Sequence, residues 1–418
     1  MKTPNDSELL QDSLESDLLL HHRPFLLFWL SRVCSAVGFQ VSAVAVGWQV
    51  YALTDSPFHL GMVGLVQFLP MVFLTLLAGH VADRYDRRVI IRVCQAIEGF
   101  AMAALALGSA NEWLHVAGIF AAVAVMGAAR SFENPSLAAL LPGLIPPRLL
   151  PKASALSSSA MQTAFILGPA LGGLLYAAGA EVPYAVASLL FFLACACSSF
   201  IRMDRPPERA DQPGFDSLFS GIAFIRSKSV VLGAISLDLF AVLLGGATAL
   251  LPIYARDILH TNSWGLGVLR SAPAFGALVM SIVLTRYPLE RRIGMVMFAA
   301  VMAFGCATVV FALSTSIPVS LVALATLGAA DVFSVVIRMT LVQIATPEHM
   351  RGRVSAVNTL FIGTSNQLGE FESGVTAALF GVIPAAVLGG VGTIAVALMW
   401  MRWFPELRDI GNFDDLAA

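Results

Sequence analysis

Residues 293–313 read IGMVMFAAVMAFGCATVVFAL, 21 positions without a charge, a proline or an amide side chain. As a helix rising 1.5 Å per residue, such a stretch crosses a hydrocarbon core about 30 Å thick. The pattern recurs along the chain. We place twelve spans near 25–53, 61–82, 89–110, 114–138, 153–178, 183–203, 230–255, 264–286, 292–314, 318–343, 353–380 and 384–403. The links are mostly short, which leaves no room for a separate soluble catalytic domain. Composition agrees, at 57% hydrophobic and 12% charged residues; a soluble domain carries roughly twice that charge. The expected fold class is an all-α membrane protein with twelve transmembrane helices, its surface facing the lipid bilayer.

The net charge of -2 decides little, whereas the placement of basic residues decides orientation. Four arginines lie inside spans (Arg32, Arg130, Arg270, Arg338), and Arg256 falls on the side opposite the remaining basic residues. Those gather at the N-terminus, the even-to-odd loops and the C-terminus. By the positive-inside rule both termini are expected in the cytoplasm. Residues 1–22 are polar and acidic, with neither the basic start nor the cleavage site of a secretory signal. They read as a disordered cytoplasmic tail ahead of a retained first span. All five cysteines fall inside spans, where buried thiols act as small hydrophobes.

The two halves of the chain match at a nearly constant offset. A shift of 201 superposes Gly127, Ala128, Ala129 and Phe132 on Gly328, Ala329, Ala330 and Phe333, and Pro146 on Pro347. A shift of 203 superposes Tyr51-Ala52 on Tyr254-Ala255 and Pro70 on Pro273. We therefore expect an N-terminal six-helix lobe over 23–203, a cytoplasmic linker over 204–229 and a C-terminal lobe over 230–404, followed by a cytoplasmic tail over 405–418. Within the linker, Phe215, Leu218, Phe219, Ile222 and Ile225 share one side of an amphipathic helix, expected to lie in the membrane interface. Parallel six-helix repeats are the layout of transporters that rock two lobes about a midplane site.

Two motifs carry a resemblance. The loop after the second span reads GHVADRYDRRVII over 79–91, a tight turn in which Gly79 permits close helix approach. It resembles motif A of the major facilitator superfamily, Gly-x-Leu-Ala-Asp-Arg-x-Gly-Arg-Lys, with Val81, Asp86 and Arg88 as departures. The resemblance implies that Gly79, Asp83, Arg84, Arg87 and Arg88 form a cytoplasmic gate in which Asp83 ties the loop to the eleventh span. The second copy, near 285–292, keeps Arg286, Arg291 and Arg292 but no matching glycine or aspartate. In the fifth span GPALGG over 168–173 combines a kinking proline with close-packing glycines. Gly168, Pro169, Gly172 and Gly173 look like the core of motif C, typical of the superfamily's antiporters, although Ala155 and Ala164 replace its upstream glycines. The segment over 351–374 is similar to the branch of bacterial drug/proton antiporters that includes macrolide-efflux proteins and the enterobactin exporter. That resemblance covers nearly the whole chain. It implies a bacterial cytoplasmic (inner) membrane location.

Six acids lie within spans: Glu98, Glu133, Asp238, Asp331, Glu370 and Glu372. Each charge near a helix centre costs about 2.5–3.5 kcal/mol on insertion scales, so such residues face the bundle interior or a wet cavity and have partners. Asp331 is the repeat-mate of Arg130. Asn366, Gln367 and Glu370 can share a face of the eleventh span, with Ser355, Asn358 and Ser373 extending the stripe. Asp331 and Glu370 divide evenly between a proton or substrate role and structural pairing with arginines. Structural roles are favoured for Glu98, Glu133 and Glu372. Arg32 and Asp238 read either as an inter-lobe contact or as vestibule charges, and Arg338 as a snorkelling residue.

An exporter of an amphipathic organic molecule, exchanging it for protons by alternating access, is the leading function. A dedicated siderophore exporter or an uptake permease of the same superfamily are the alternatives, and a membrane-embedded enzyme is the reading from another class. The chain contains no His-Glu-x-x-His, Gly-x-Ser-x-Gly or Walker-type loop. No cofactor, metal or nucleic acid is expected, and a monomer is.

Overall fold

The computed structural model describes residues 19, 22–202, 215–289 and 291–413, and helix is the sole regular structure among them. The long helices are α1 (Arg23–Thr54), α2 (Pro57–Arg84), α3 (Arg87–Ala110), α4 (Val116–Leu144), α5 (Leu150–Ala178), α6 (Glu181–Ser199), α7 (Ser229–Leu244), α8 (Ser263–Arg286), α9 (Ile293–Leu313), α10 (Ile317–Ala345), α11 (Glu348–Phe380) and α12 (Val382–Trp403). Among the described residues, eleven segments are long and apolar enough to cross a membrane. The twelfth expected crossing, α11, has 33 residues but is not among them: besides Arg351 and Arg353 near its start it carries Asn358, Asn366, Gln367, Glu370 and Glu372.

Local chemistry sets the helix ends. Gly179 and Gly381 stop α5 and α11 with φ of 152° and 92°, backbone that side chains disfavour. The Asn262 side chain accepts from the Gly265 N–H at 3.2 Å and caps α8. The expected seventh span is not one continuous α-helix. After α7 the chain passes Gly245 into a 3₁₀ turn, Gly246–Leu250, and later a π-turn, Tyr254–Ile258. A Cβ at Gly246 would collide with the Gly369 carbonyl of α11, so the break seats that helix.

Two compact units result: Met1–Val46 with Leu69–Asp211, and Gly47–Phe68 with Gln212–Ala418. The ends of α1 and α2 that face each other in sequence thus cluster with the second unit. In the first, Phe25, Phe28, Ile91, Leu137 and Leu140 form a core from α1, α3 and α4. In the second, Leu237, Phe298, Ile337 and Trp400 join α7, α9, α10 and α12. The Trp400 indole N–H donates to Ser236 Oγ at 2.9 Å, which satisfies its polar atom inside that core. Lipid offers no hydrophobic drive between helices, so close contact of small residues holds them together. The crossing of α8 and α10 shows this: a Cβ on Gly276 would overlap the Ala325 carbonyl, and one on Gly328 the Pro273 carbonyl.

A helix spans Phe215–Ser227 in the linker, and part of its expected apolar face is covered by protein. Ile225 is buried among Val231, Ile235, Val342, Val354 and Val357 of α7, α10 and α11, and Gly221 lies against the Arg353 carbonyl. The side chains of Phe215, Leu218 and Phe219 lie outside the described residues.

Candidate functional site

The acids and arginines expected inside spans sort into buried clusters. In the first unit, α3 presents Gln95 and Glu98 and α4 presents Arg130 and Glu133, each pair three residues apart and so on one helix face. Gln95, Glu98 and Glu133 are all fully buried. The Gln95 amide donates to Glu133 Oε1 at 2.9 Å and to Ser31 Oγ at 2.9 Å. Ser35 of α1 also donates to Glu133 Oε1, at 3.0 Å, while Ser198 of α6 donates to Gln95 Oε1 at 3.0 Å. Arg130 stacks on the Phe39 ring at 3.9 Å, and its Nη1 lies 3.9 Å from Glu98 Oε1. Arg32 of α1 interacts electrostatically with Glu133. Gln95, Ser31, Ser35 and Ser198 were not singled out in the sequence; the paired spacing on α3 and α4 was the available signal.

In the second unit Asp238 of α7 and Arg338 of α10 make a buried ion pair at 2.9 Å. Arg338 Nη1 also donates to Asn358 Oδ1 of α11 at 3.2 Å. The arginine expected to snorkel is 2% exposed. Its position near one end of the helix suggested the headgroups, but α7 and α11 pack over it and supply acceptors. Asp238 is thereby bound within its own unit by Arg338. Asp331 lies two turns before Arg338 on α10, half-buried, with Asp238 and Arg338 as its electrostatic neighbours. Asp238, Asp331 and Ser334 line a cavity of about 10 Å³, the room needed by one water.

Glu370 occupies a different place. A Cβ at Gly64 of α2 would lie 2.8 Å from Glu370 Oε2, and one at Gly61 would lie 2.7 Å from the Gly374 Cα. The carboxylate therefore rests on the glycine face of α2. Its charged neighbour is Arg270 of α8, which no spacing along α11 reveals. The polar stripe does not stay together. Asn366 is exposed and donates to the Ile362 carbonyl of its own helix at 2.8 Å, Gln367 is half-buried, and Ser355 is exposed. Asn358 and Ser373 are buried, whereas Glu372 accepts from Thr376 at 2.6 Å.

At the loop over 79–91, Asp86 caps α3: its Oδ1 accepts from the Arg88 N–H at 2.9 Å, and Arg88 Nη2 donates to Oδ2 at 2.6 Å. Arg88 holds the Asp86 carboxyl below the usual carboxylate range. Arg87 donates to the Ala139 carbonyl at 3.0 Å, and Arg84 is exposed. A Cβ at Gly79 would meet nothing within 4 Å, so the close approach expected there is not seen among the described residues. The side chain of Asp83 lies outside the described residues.

The GPALGG segment packs α5 onto α1. A Cβ at Gly168 would sit 2.5 Å from Gln40 Cβ, and one at Gly172 would sit 2.9 Å from the Val41 carbonyl oxygen. Pro169 and Gly173 are buried beside them. Gly172→Leu is expected to destabilise by about 1–3 kcal/mol through overpacking. The check is the thermal unfolding midpoint in detergent, and an unchanged midpoint would mean the two helices do not meet here.

A further polar group had no counterpart in the sequence reading. Arg256 stacks on the Tyr51 ring at 4.3 Å, pairs with Asp55, and donates to Asp257 Oδ1 at 2.9 Å. The Tyr51 hydroxyl donates to Asp257. This clasp ties the end of α1 to the π-turn after α7. Arg256 stood out in the sequence only as the one basic residue on its side.

Comparison with known proteins matches residues 19–414 to the family model described as transmembrane secretion effector. Enterobactin exporter EntS of Citrobacter koseri is 25% identical over 94% of this chain and 95% of its own length. The protein of the same name from Salmonella typhi is 24% identical over the same shares. A bacterial homologue of the human lysosomal transporter Spinster, in an inward-facing unoccupied conformation, superposes with a TM-score of 0.72 at 12% identity, covering 93% of this chain and 96% of that one. The nucleoside transporter NupG gives 0.64 at 15%, covering 91% and 99%. With a match across nearly its full length and this helical fold, the chain belongs to the transmembrane secretion effector family of the major facilitator superfamily.

Proposed function

We propose that the protein moves an amphipathic organic molecule out of a bacterial cytoplasm across the inner membrane, as a monomer, in exchange for protons. The family supports transport, and the relatives named as exporters support the direction. One observation carries the coupling: Glu370 sits inside the bundle against Gly64, with Arg270 as its counter-charge. A proton arriving on Glu370 removes the charge that holds Arg270, and a polar or acidic group of the substrate can then take its place. Loss of the proton restores the pair and displaces the substrate. Proton and substrate thus compete for one arginine. Asp331, beside Asp238 and Arg338, is the second candidate carrier.

The relatives favour one narrower reading, export of a siderophore such as enterobactin. Cells deprived of their own exporters, with and without this protein, separate the two. Survival against a panel of lipophilic toxins supports the broad reading, and enterobactin release alone supports the narrow one.

The basic-residue asymmetry supports cytoplasmic termini. A reporter active only outside the cytoplasm should give no signal when fused at Ala418 and a strong signal when inserted at Asn262, and the reverse pattern would overturn the orientation.

A further inference from the structure

The cluster in the first unit is not an evenly paired network. Gln95 is saturated: its amide nitrogen serves Glu133 and Ser31, and its oxygen accepts from Ser198. Both donors to Glu133 converge on Oε1, leaving Oε2 without a partner. Glu98 is fully buried, and neither of its oxygens accepts a hydrogen bond. Arg130 approaches it but makes no hydrogen bond through Nη1, its guanidinium carbon lying 3.9 Å from the Phe39 ring centroid. A buried carboxylate that accepts no hydrogen bond from the protein is costlier than the neutral acid, which carries its own proton. Glu98 is a bare, fully buried side chain set beside Glu133 and Arg130, and its geometry suits a small positive charge that needs no ligand shell.

We propose that Glu98 and Glu133 form a second proton-binding site, in the first unit, separate from Glu370. The charged and titratable groups around Glu98 are Glu133 and Arg130 of α4, Cys94 of its own helix, and Arg32 of α1 acting on Glu133. With Glu98 protonated, Arg130 and Arg32 stand against the single charge of Glu133. Deprotonation pulls Arg130 from the Phe39 ring toward Glu98, which changes how α4 packs on α1. This site extends the exchange reading to more than one proton per cycle. It rests on that reading for the proton's use, not for its presence.

Infrared difference spectroscopy of the purified full-length protein, titrated over pH and repeated in deuterium oxide, reads protonated carboxyl groups directly. Above the pH range in which the exposed acids protonate, wild-type protein should show deuterium-sensitive carboxylic-acid bands that titrate, one from Glu98 and one from Glu370. Glu98→Gln should remove one and Glu370→Gln the other. Glu133→Gln should shift the midpoint of the Glu98 band without deleting it. If Glu98→Gln does not fold, Glu98→Asp replaces it and should keep the band with a displaced midpoint. A spectrum unchanged by the Glu98 substitution, or a Glu98 band that neither titrates nor shifts in deuterium oxide, overturns the proposal. A wild-type spectrum with a titrating Glu98 band but no titrating band removed by Glu370→Gln defeats the exchange reading at Glu370 and leaves this site standing.

Discussion

Glu370→Gln is expected to abolish uphill transport while leaving the exchange of substrate down its own gradient intact. The glutamine keeps the size that fits against Gly64, so α2 and α11 should still pack. It cannot carry a proton or a charge, so Arg270 loses its titratable partner at every pH. Net accumulation driven by a proton gradient should fall at least about tenfold, which corresponds to about 1.4 kcal/mol of lost coupling. Counterflow with substrate on both sides should persist. Asp331→Asn gives the same pattern if that residue is the carrier. If both variants still pump with the pH dependence of the parent, neither carboxylate couples the fluxes.

The largest expected effect on stability lies at Asp238 and Arg338. Both are buried and face each other at 2.9 Å. Removing one partner leaves the other charge buried and unpaired, at a cost of about 3–5 kcal/mol. Asp238→Ala should therefore lower the unfolding midpoint in detergent sharply. Asp238→Leu combined with Arg338→Met should recover most of the loss, since a buried pair replaced by apolar groups of similar volume is often neutral. Equal loss in the single and the double variants would show that the pair is not coupled.

How far each residue's role was legible depends on whether it is set by its own helix. The spans, the short links and the polar character of α11 are properties of single segments, and hydrophobic runs reveal them. Asp331 and Glu370 stood out because a lone acid in an apolar run is conspicuous in any context. Their partners were hidden. Arg270 reaches Glu370 from α8, and Asp238 reaches Arg338 from α7, so both pairings depend on helix packing that spacing along one chain does not encode. The snorkelling expectation for Arg338 failed for the same reason. Likewise, Asn366 lies one turn before Glu370 on much the same face of α11 yet is exposed, so sharing a face with a packed residue did not predict burial. Glycines were readable as sites of close approach only where a neighbour exists: the GPALGG face finds α1, and Gly79 finds nothing within reach among the described residues.

Dye transport in inside-out membrane vesicles tests proton-driven export most directly. Their outer face is the cytoplasmic one, so an exporter concentrates a fluorescent amphipathic dye such as Hoechst 33342 in the lumen when the lumen is made acidic. The account predicts accumulation that requires the protein, collapses when nigericin dissipates the gradient, and is absent with Glu370→Gln. Protein-dependent accumulation that survives loss of the gradient, or movement only from lumen to bath, would contradict it.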